Sequence, residues 1–540
     1  MRNNSAYYYL FQTLNQNIMK HIFVPTTELL KKLKDHKLVR RLSFLALGIS
    51  TTVWFLIRVI PKPSRAAYPC MQASAPIMSA FVIYLLSLAG GVTAWMKAKT
   101  LIRNHRFGYA TLFVLIAMSC AAIFAVRNSD TLYAQVKATF DPPKMMTGTN
   151  APVGVAKGIF PGRVVWVHSP GVSNWDGETG LWFEDRWNSQ DKATGMVRDA
   201  LKNLTGDKDE QKAWTKLFSF FNKSKNRGNH GYVPSEKIAI KVNENNTYSH
   251  ADSPEINVSP QLIYALLKSL VRQAGVPQDR ITVFDASRFI TNFTFTKCHA
   301  EFPNVIFVDN IGGEGRSKST YKAYAIHYSK NNGRLARGLV TCAVEADYLI
   351  NVALLKGHVG QGVTLCGKNW YGATDIDNDW RKNAHDNFDQ DRKGGSKYMT
   401  FVDYMGHKDM GGKTMLYLID GFYGAKAVNG LPKPMWKMKP FNGNWPCSLF
   451  VSQDPVAIDA VALDFISNEW PDAADMNYAD SYLLEAAKAN SPPSGTTYDP
   501  ENDGTRLSSL GVLEHWNNAT DKQYCRNLGK KTGIELVEVK

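Results

Sequence analysis

Cysteine is scarce in this chain and never closely spaced. Seven occur in 540 residues (Cys70, Cys120, Cys298, Cys342, Cys366, Cys447 and Cys525), and no two stand as C-x-x-C. That excludes a ferredoxin-type cluster motif and a Cys-rich zinc site. Acidic residues are almost missing from the first quarter: residues 1–127 hold 16 Lys and Arg against only Glu28 and Asp35. The remainder is close to neutral, so the net charge of +15 is not spread over one folded surface. A nucleic-acid binder needs a basic patch on its folded domain. Nucleic acid is therefore not an expected partner. Internal repeats and low-complexity tracts are lacking too, which excludes a repeat array.

The same first quarter also contains three stretches without any charge, at 42–57, 66–96 and 107–126. A helix needs about 20 mostly apolar residues to cross a bilayer. The third run, FGYATLFVLIAMSCAAIFAV, has that length, and the second contains it around PIMSAFVIYLLSLAGGVTAW. The first, LSFLALGISTTVWFL, is shorter, but Arg41 and Arg58 can extend to the interfaces. Three transmembrane helices are expected, at about 42–60, 75–96 and 107–126. Lys and Arg crowd the arm at 1–41 and the loop between the second and third runs, through Lys97, Lys99, Arg103 and Arg106. The positive-inside rule then makes 1–41 a basic cytoplasmic arm and puts the domain after the third span outside the cytoplasm. The expectation is a multi-pass bacterial inner-membrane protein with a periplasmic domain. Its partners would be the lipid bilayer and other membrane proteins. In that compartment a disulfide among Cys298, Cys342, Cys447 and Cys525 is open, though sequence cannot pair them.

Residues 128–150, with Pro142-Pro143 and MMTGTN, read as a linker. From 151 to 540 strand-like runs (GRVVWVHS, KIAIKVN, RITVFDAS, NVIFVDN, ADYLINVALL, TMLYLIDGFYG, SLFVSQ) alternate with helical ones. Two helix starts are marked by Ser259-Pro260 and Asp454-Pro455. Such alternation predicts an α/β domain with a largely parallel sheet and helices on both faces.

Ligands in open α/β sheets sit outside the carboxyl ends of the strands. The run ADYLINVALLKGH ends there on Lys356 and His358, and Thr364, Lys368 and Asn369 follow among five glycines at 357, 360, 362, 367 and 372. Lys356, Thr364, Lys368 and Asn369 suit a small anionic ligand such as a carboxylate or phosphate. His358, Lys368 and His385 are the candidate acid–base groups. A solvated loop is the ordinary alternative for this segment. Asn243, Asn245, Asp285, Ser287 and Asp420 end other strands and are placed at the same cleft, although turns and caps favour the same residue types. Arg163 is an anion clamp or an ordinary strand-entry charge. Asp454 is read as a cap, and Asp459 as facing a site or pairing with a base. His358, His385 and His407 with Asp409 admit a metal ion, but no tight ligand spacing supports one. The cofactor is unknown.

ADYLINVALLKGH…GVTLCGKNWYG, His385, LYLIDGFYG and SQDPVAIDAVALDF, in this order, resemble the bacterial family called domain of unknown function 362. Upstream, GVAKGIFPGRVVWVHSPG, AWTKLFSFFN and SEKIAIKVN are similar to its membrane-anchored branch. The resemblance covers roughly 152–470. Members often carry a ferredoxin-like segment, which this chain lacks. Asp347, His358, Lys368 and His385 also fall in an order similar to the nickel-dependent lactate racemase family. There such residues hold a nickel pincer nucleotide and act on a 2-hydroxy acid. What the resemblance implies is a cleft for a hydroxy or oxo acid and isomerase- or oxidoreductase-like chemistry. A non-enzymatic binding or assembly subunit is the alternative.

Overall fold

The computed structural model describes residues 49–50, 52–54, 56–57, 69–126, 143–330, 333–375, 397–427, 429–471 and 474–540. The chain divides into two units, Met1–Asp141 and Pro142–Lys540.

In the first unit two helices, Pro69–Arg103 and Phe107–Val126, pack on each other as a hairpin. Its turn is only three residues, with His105 at φ 54°. The first helix therefore runs past the expected boundary at Trp95–Met96 and takes in Lys97, Lys99 and Arg103. Lys and Arg are good helix formers, and Arg103 in the last turn complements the helix dipole. The expected first span lies mostly outside the described residues. Among the described residues, no helix is long and apolar enough to cross a membrane. The described side chains of the Phe107–Val126 helix end at Met118.

The second unit is built on a ten-stranded sheet. Its strands, in chain order, are β1 (Arg163–His168), β2 (Ile238–Lys241), β3 (Ile281–Asp285), β4 (Ile306–Asp309), β5 (Ser317–Lys318), β6 (Tyr348–His358), β7 (Gly362–Thr364), β8 (Thr414–Ala425), β9 (Ser448–Ser452) and β10 (Glu535–Val539). Across the sheet the order is β10-β1-β9-β8-β6-β2-β3-β4-β5, and β7 folds back on β6. From β8 to β5 every pairing is parallel. The exception to the expected direction is β9, antiparallel to both β8 and β1. A short apolar strand carries no mark of its direction, so this was not legible in SLFVSQ. A two-stranded hairpin, Tyr321–Tyr328 with Leu335–Val340, is an addition to the expected elements.

The 11-residue β6 is the spine of this unit. Its side chains alternate between two apolar cores. Leu349, Ala353 and Leu355 enter one core; Tyr348, Ile350, Val352 and Leu354 enter the other. Each Leu, Ile or Val among them stabilises the fold by roughly 2 kcal/mol on burial. The second core is covered by the helices Gln190–Thr205, Glu210–Ser224 and Pro260–Arg272, and the first by Pro455–Glu469. Gly206, at φ 74°, ends the first of these helices, and the Asp209 carboxylate caps the next by accepting from Lys212 N at 2.9 Å. Asp454 caps Pro455–Glu469 as expected, accepting from Val456 N and Ala457 N at 3.1 and 2.9 Å. Ser259 does not cap by its side chain; its N–H donates to Asp420 Oδ2 at 2.6 Å instead.

The linker is shorter than expected. Met146 N donates to Asp480 Oδ2 at 2.7 Å and Asn150 N to His515 O at 2.8 Å, so 144–150 is part of the folded unit. Cys298, Cys342, Cys366, Cys447 and Cys525 are all free thiols, so the disulfide left open above is not formed.

Candidate functional site

The carboxyl ends of β2, β3 and β6 converge on a narrow cleft. Lys241, Asn243, Asn245, Asp285, Ser287, His358, Thr364, Lys368, Asn369, Tyr371 and Gly372 line it. The central feature is an ion pair the sequence analysis missed. Lys241 ends β2, and its Nζ lies 3.2 Å from Asp285 Oδ2, with side chains only 1% and 4% exposed. The amine also donates to Val242 O at 2.6 Å and to Asn369 Oδ1 at 3.1 Å. Burial pulls its pKa below the ordinary value, against the opposing effect of Asp285. A Lys within IAIK looks like a strand-exit charge; its one signal was its place at a strand end.

Asp285 is saturated by its neighbours. Its Oδ2 accepts from Glu244 N at 2.9 Å, and its Oδ1 from Ser287 N and Oγ at 3.2 and 3.1 Å. Asn369 plays a similar part, donating to Asn351 Oδ1 at 2.8 Å and Val352 O at 3.1 Å. The short helix Cys366–Asn369 presents Lys368 and Asn369. Asp459 anchors that helix, its carboxylate accepting from Cys366 N, Gly367 N and Tyr482 Oη at 2.8, 2.9 and 2.9 Å. This answers the question posed by an acid inside an apolar helix: it positions the Lys368 segment rather than pairing with a base.

At the rim, His358 Nδ1 bonds the Val359 carbonyl. Lys368 Nζ lies over the rings of Tyr371 and Phe401, at 5.2 and 5.9 Å from their centroids.

Three buried polar atoms at or next to the cleft have no hydrogen-bond partner among the described residues: Oγ1 of Thr364, which lines it, and Lys356 Nζ and Glu244 Oε1, whose residues adjoin lining residues without lining it themselves. Lys356 and Thr364 are directly paired across β6 and β7, so their side chains share a face. Lys356 and Glu244 act on each other electrostatically. Burial, aided by the charge of Lys368, lowers the Lys356 amine to about 7. Burial, with the like charge of Asp285, pushes the Glu244 carboxyl well above the usual range. Leaving a buried polar group unsatisfied costs about 1–3 kcal/mol. An acid of raised pKa, a hydroxyl and an amine of lowered pKa thus stand close together.

The other expected residues fall elsewhere. Asp420 is 1% exposed and accepts from Ser259 N and Phe422 N, which makes it a structural bridge. Arg163 starts β1 and grips Glu535 with Nε and Nη2, at 2.8 and 3.2 Å, while Nη1 donates to Asn203 O at 2.9 Å. Its guanidinium is engaged and is not among the cleft residues. Asp347 stands at the far end of β6 from His358 and accepts from Lys237 N at 2.8 Å. His407 is fully buried, bonds Ala325 O through Nε2 at 2.8 Å and accepts from Asp409 N on Nδ1 at 3.1 Å. Burial drives its pKa down to about 4. Both its nitrogens are used, so it is no metal ligand. Among the described residues no group of three or more His, Cys, Asp or Glu is placed to hold a metal ion. His385 lies outside the described residues.

No curated protein matches the chain, and no solved structure matches it. The family model described as Domain of unknown function (DUF362) matches residues 238–464, the segment from β2 to the helix after β9 that supplies every residue of the cleft. That match supports, for this segment, the family its motifs resemble.

Proposed function

We propose that the cleft binds a small anionic ligand, a 2-hydroxy or 2-oxo acid, and performs acid–base chemistry on it. The observation that carries this reading is the trio of unpartnered buried atoms, Lys356 Nζ, Thr364 Oγ1 and Glu244 Oε1. The ligand's carboxylate would accept from protonated Glu244, Thr364 and the Lys356 ammonium. Lys368 would add positive charge at the rim. His358 would remove and return the proton on the hydroxyl-bearing carbon of a 2-hydroxy acid, or the proton on the carbon next to the carbonyl of a 2-oxo acid, and His385 would serve as the second acid–base group. Lys241, Asp285 and Asn369 hold the frame. Titrating lactate and pyruvate against the purified chain tests this. Saturable binding, lost in Lys356→Met, and deuterium exchange at the reacting carbon, lost in His358→Gln, are expected. Unchanged binding in the first variant would sink the assignment.

The cleft would be tethered to a bacterial inner membrane by the charge-free runs of the amino-terminal unit, with the α/β unit in the periplasm. The charge-free runs and the distribution of Lys and Arg support this. Carbonate extraction of membranes and protease accessibility of the α/β unit test it.

One observation favours a second reading. Lys241, Asp285 and Asn369 satisfy one another and leave the cleft narrow. A non-enzymatic binding or assembly subunit would look the same. Binding without any isotope exchange would select it.

A further inference from the structure

The described residues enclose a second, roomier cavity of about 400 Å³. Thr414 and Met415, which start β8, line it together with Pro455, which starts the helix after β9. The proposed acid-binding cleft lies at the other ends of the parallel strands. The two are separated by the length of β6 from Leu349 to Lys356, roughly 20 Å.

One wall is apolar. Phe220 and Phe221 come from the helix Glu210–Ser224, and Leu507 faces the same space. Phe220 is 36% exposed, large for an aromatic ring beside a core. The cations are Lys157 and Lys225, on separate elements and both exposed. Among the described residues, no carboxylate is among the charges acting on Lys225. Desolvation first, and then the charges of Lys157 and Arg227, lower its pKa. Lys157 is lowered chiefly by desolvation, and the acid acting on it is Asp454. That carboxylate is already engaged by the N–H groups of Lys157, Val456, Ala457 and Val512, at 2.8, 3.1, 2.9 and 3.2 Å. Two lysines thus line one cavity, the carboxylate acting on Lys157 being shared with four backbone N–H groups and Lys225 Nζ lying 5.8 Å from the Phe221 ring centroid, beside aromatic surface that water wets poorly. Like charges held together are relieved by an anion. Exposed aromatic area beside them is relieved by an apolar chain.

We propose that this cavity binds an amphipathic anion, with a phosphate or carboxylate head between Lys157 and Lys225 and an apolar tail along Phe220, Phe221 and Leu507. Such a ligand could be a free metabolite or a membrane lipid; the head-and-tail chemistry is shared. The site is independent of the cleft and of its proposed reaction.

Titration of the full chain with hexyl phosphate, inorganic phosphate and hexanol tests it. Hexyl phosphate should bind at least tenfold more tightly than either of the others. The double variant Lys157→Ala/Lys225→Ala should lose at least tenfold for hexyl phosphate, with an unchanged thermal melt. Phe220→Ser should weaken hexyl phosphate and leave inorganic phosphate unaffected, a readout that survives if the double variant misfolds. Binding should persist in Lys356→Met. Displacement by phosphatidate vesicles identifies a lipid source, and its absence a free small molecule. Equal affinity for inorganic and hexyl phosphate overturns the proposal, as does binding insensitive to both lysines.

Discussion

Gly372 lies against Asp285 so closely that a Cβ on it would come within 2.8 Å of Asp285 Oδ1. The same methyl would stand 2.8 Å from Ser287 Oγ and 3.2 Å from Lys241 Nζ. Asp285 cannot swing away, because three hydrogen bonds hold its carboxylate. Gly372→Ala should therefore cost about 1–3 kcal/mol and abolish ligand binding in the cleft. Gly231→Ala, where the nearest atom is 3.6 Å away, is the control and should cost far less. Urea unfolding of both variants checks this.

The Lys241–Asp285 pair should behave as a buried charge pair. Removing Lys241 alone, as Lys241→Met, leaves a carboxylate uncompensated and should cost about 3–5 kcal/mol. The double variant Lys241→Met/Asp285→Leu should recover part of that loss, since no charge is then stranded. A double-mutant cycle of unfolding free energies gives the coupling. Additive losses would refute the pairing.

Lys356 should trade stability for binding. Its folded pKa of about 7 lies below the unfolded value of about 10.4. The cost of burying it is thus absent above about pH 10.4, grows as pH falls, and is complete below about 7. Lys356→Met should raise unfolding free energy at pH 6–7 by about 1–3 kcal/mol while eliminating acid binding. The wild-type cleft should also hold anions less tightly as pH rises through 7. Calorimetric titrations at pH 6 and 8.5 measure the difference.

His515 predicts a pH dependence of opposite sign. Burial disfavours its charge, but Asp464 and Asp480, with ring nitrogens 2.6 and 3.3 Å from their carboxylates, outweigh that and raise its pKa to about 10. The folded pKa lies above the unfolded value of about 6.5. The stabilisation is therefore complete below about pH 6.5 and is lost as pH rises towards 10. Thermal unfolding from pH 6 to 10 should show a decline that His515→Gln flattens.

Much of the cleft was legible because β strands bring their ends to one edge. Once ADYLINVALLKGH was read as a parallel strand, His358, Thr364, Lys368 and Asn369 followed by proximity in sequence, and Asn243 and Asp285 by the rule for strand ends. Asp420 failed that rule because its strand continues to Ala425, so the carboxylate lies inside the sheet rather than beyond it. Lys241 was missed because a terminal lysine on a strand is ordinarily a solvated charge, and only the arrival of Asp285 and Asn369 buries it. Glu244 was missed for the same reason. Arg163 is engaged by Glu535, which is 372 residues away. No local pattern reports such a partner.

By itself the sequence determined the α/β alternation, the charge-poor amino-terminal runs, the cap at Asp454 and the glycine-rich segment after β6. Each depends on neighbours a few residues apart, through periodicity, capping and turn chemistry. Only the tertiary structure decided that β9 runs against β8, that Asp459 holds the Lys368 helix, and that Gly372 has room for no side chain. It also decided which polar atoms are left without partners. Burial and hydrogen-bond satisfaction are properties of the whole packed unit, set by residues far apart in the chain.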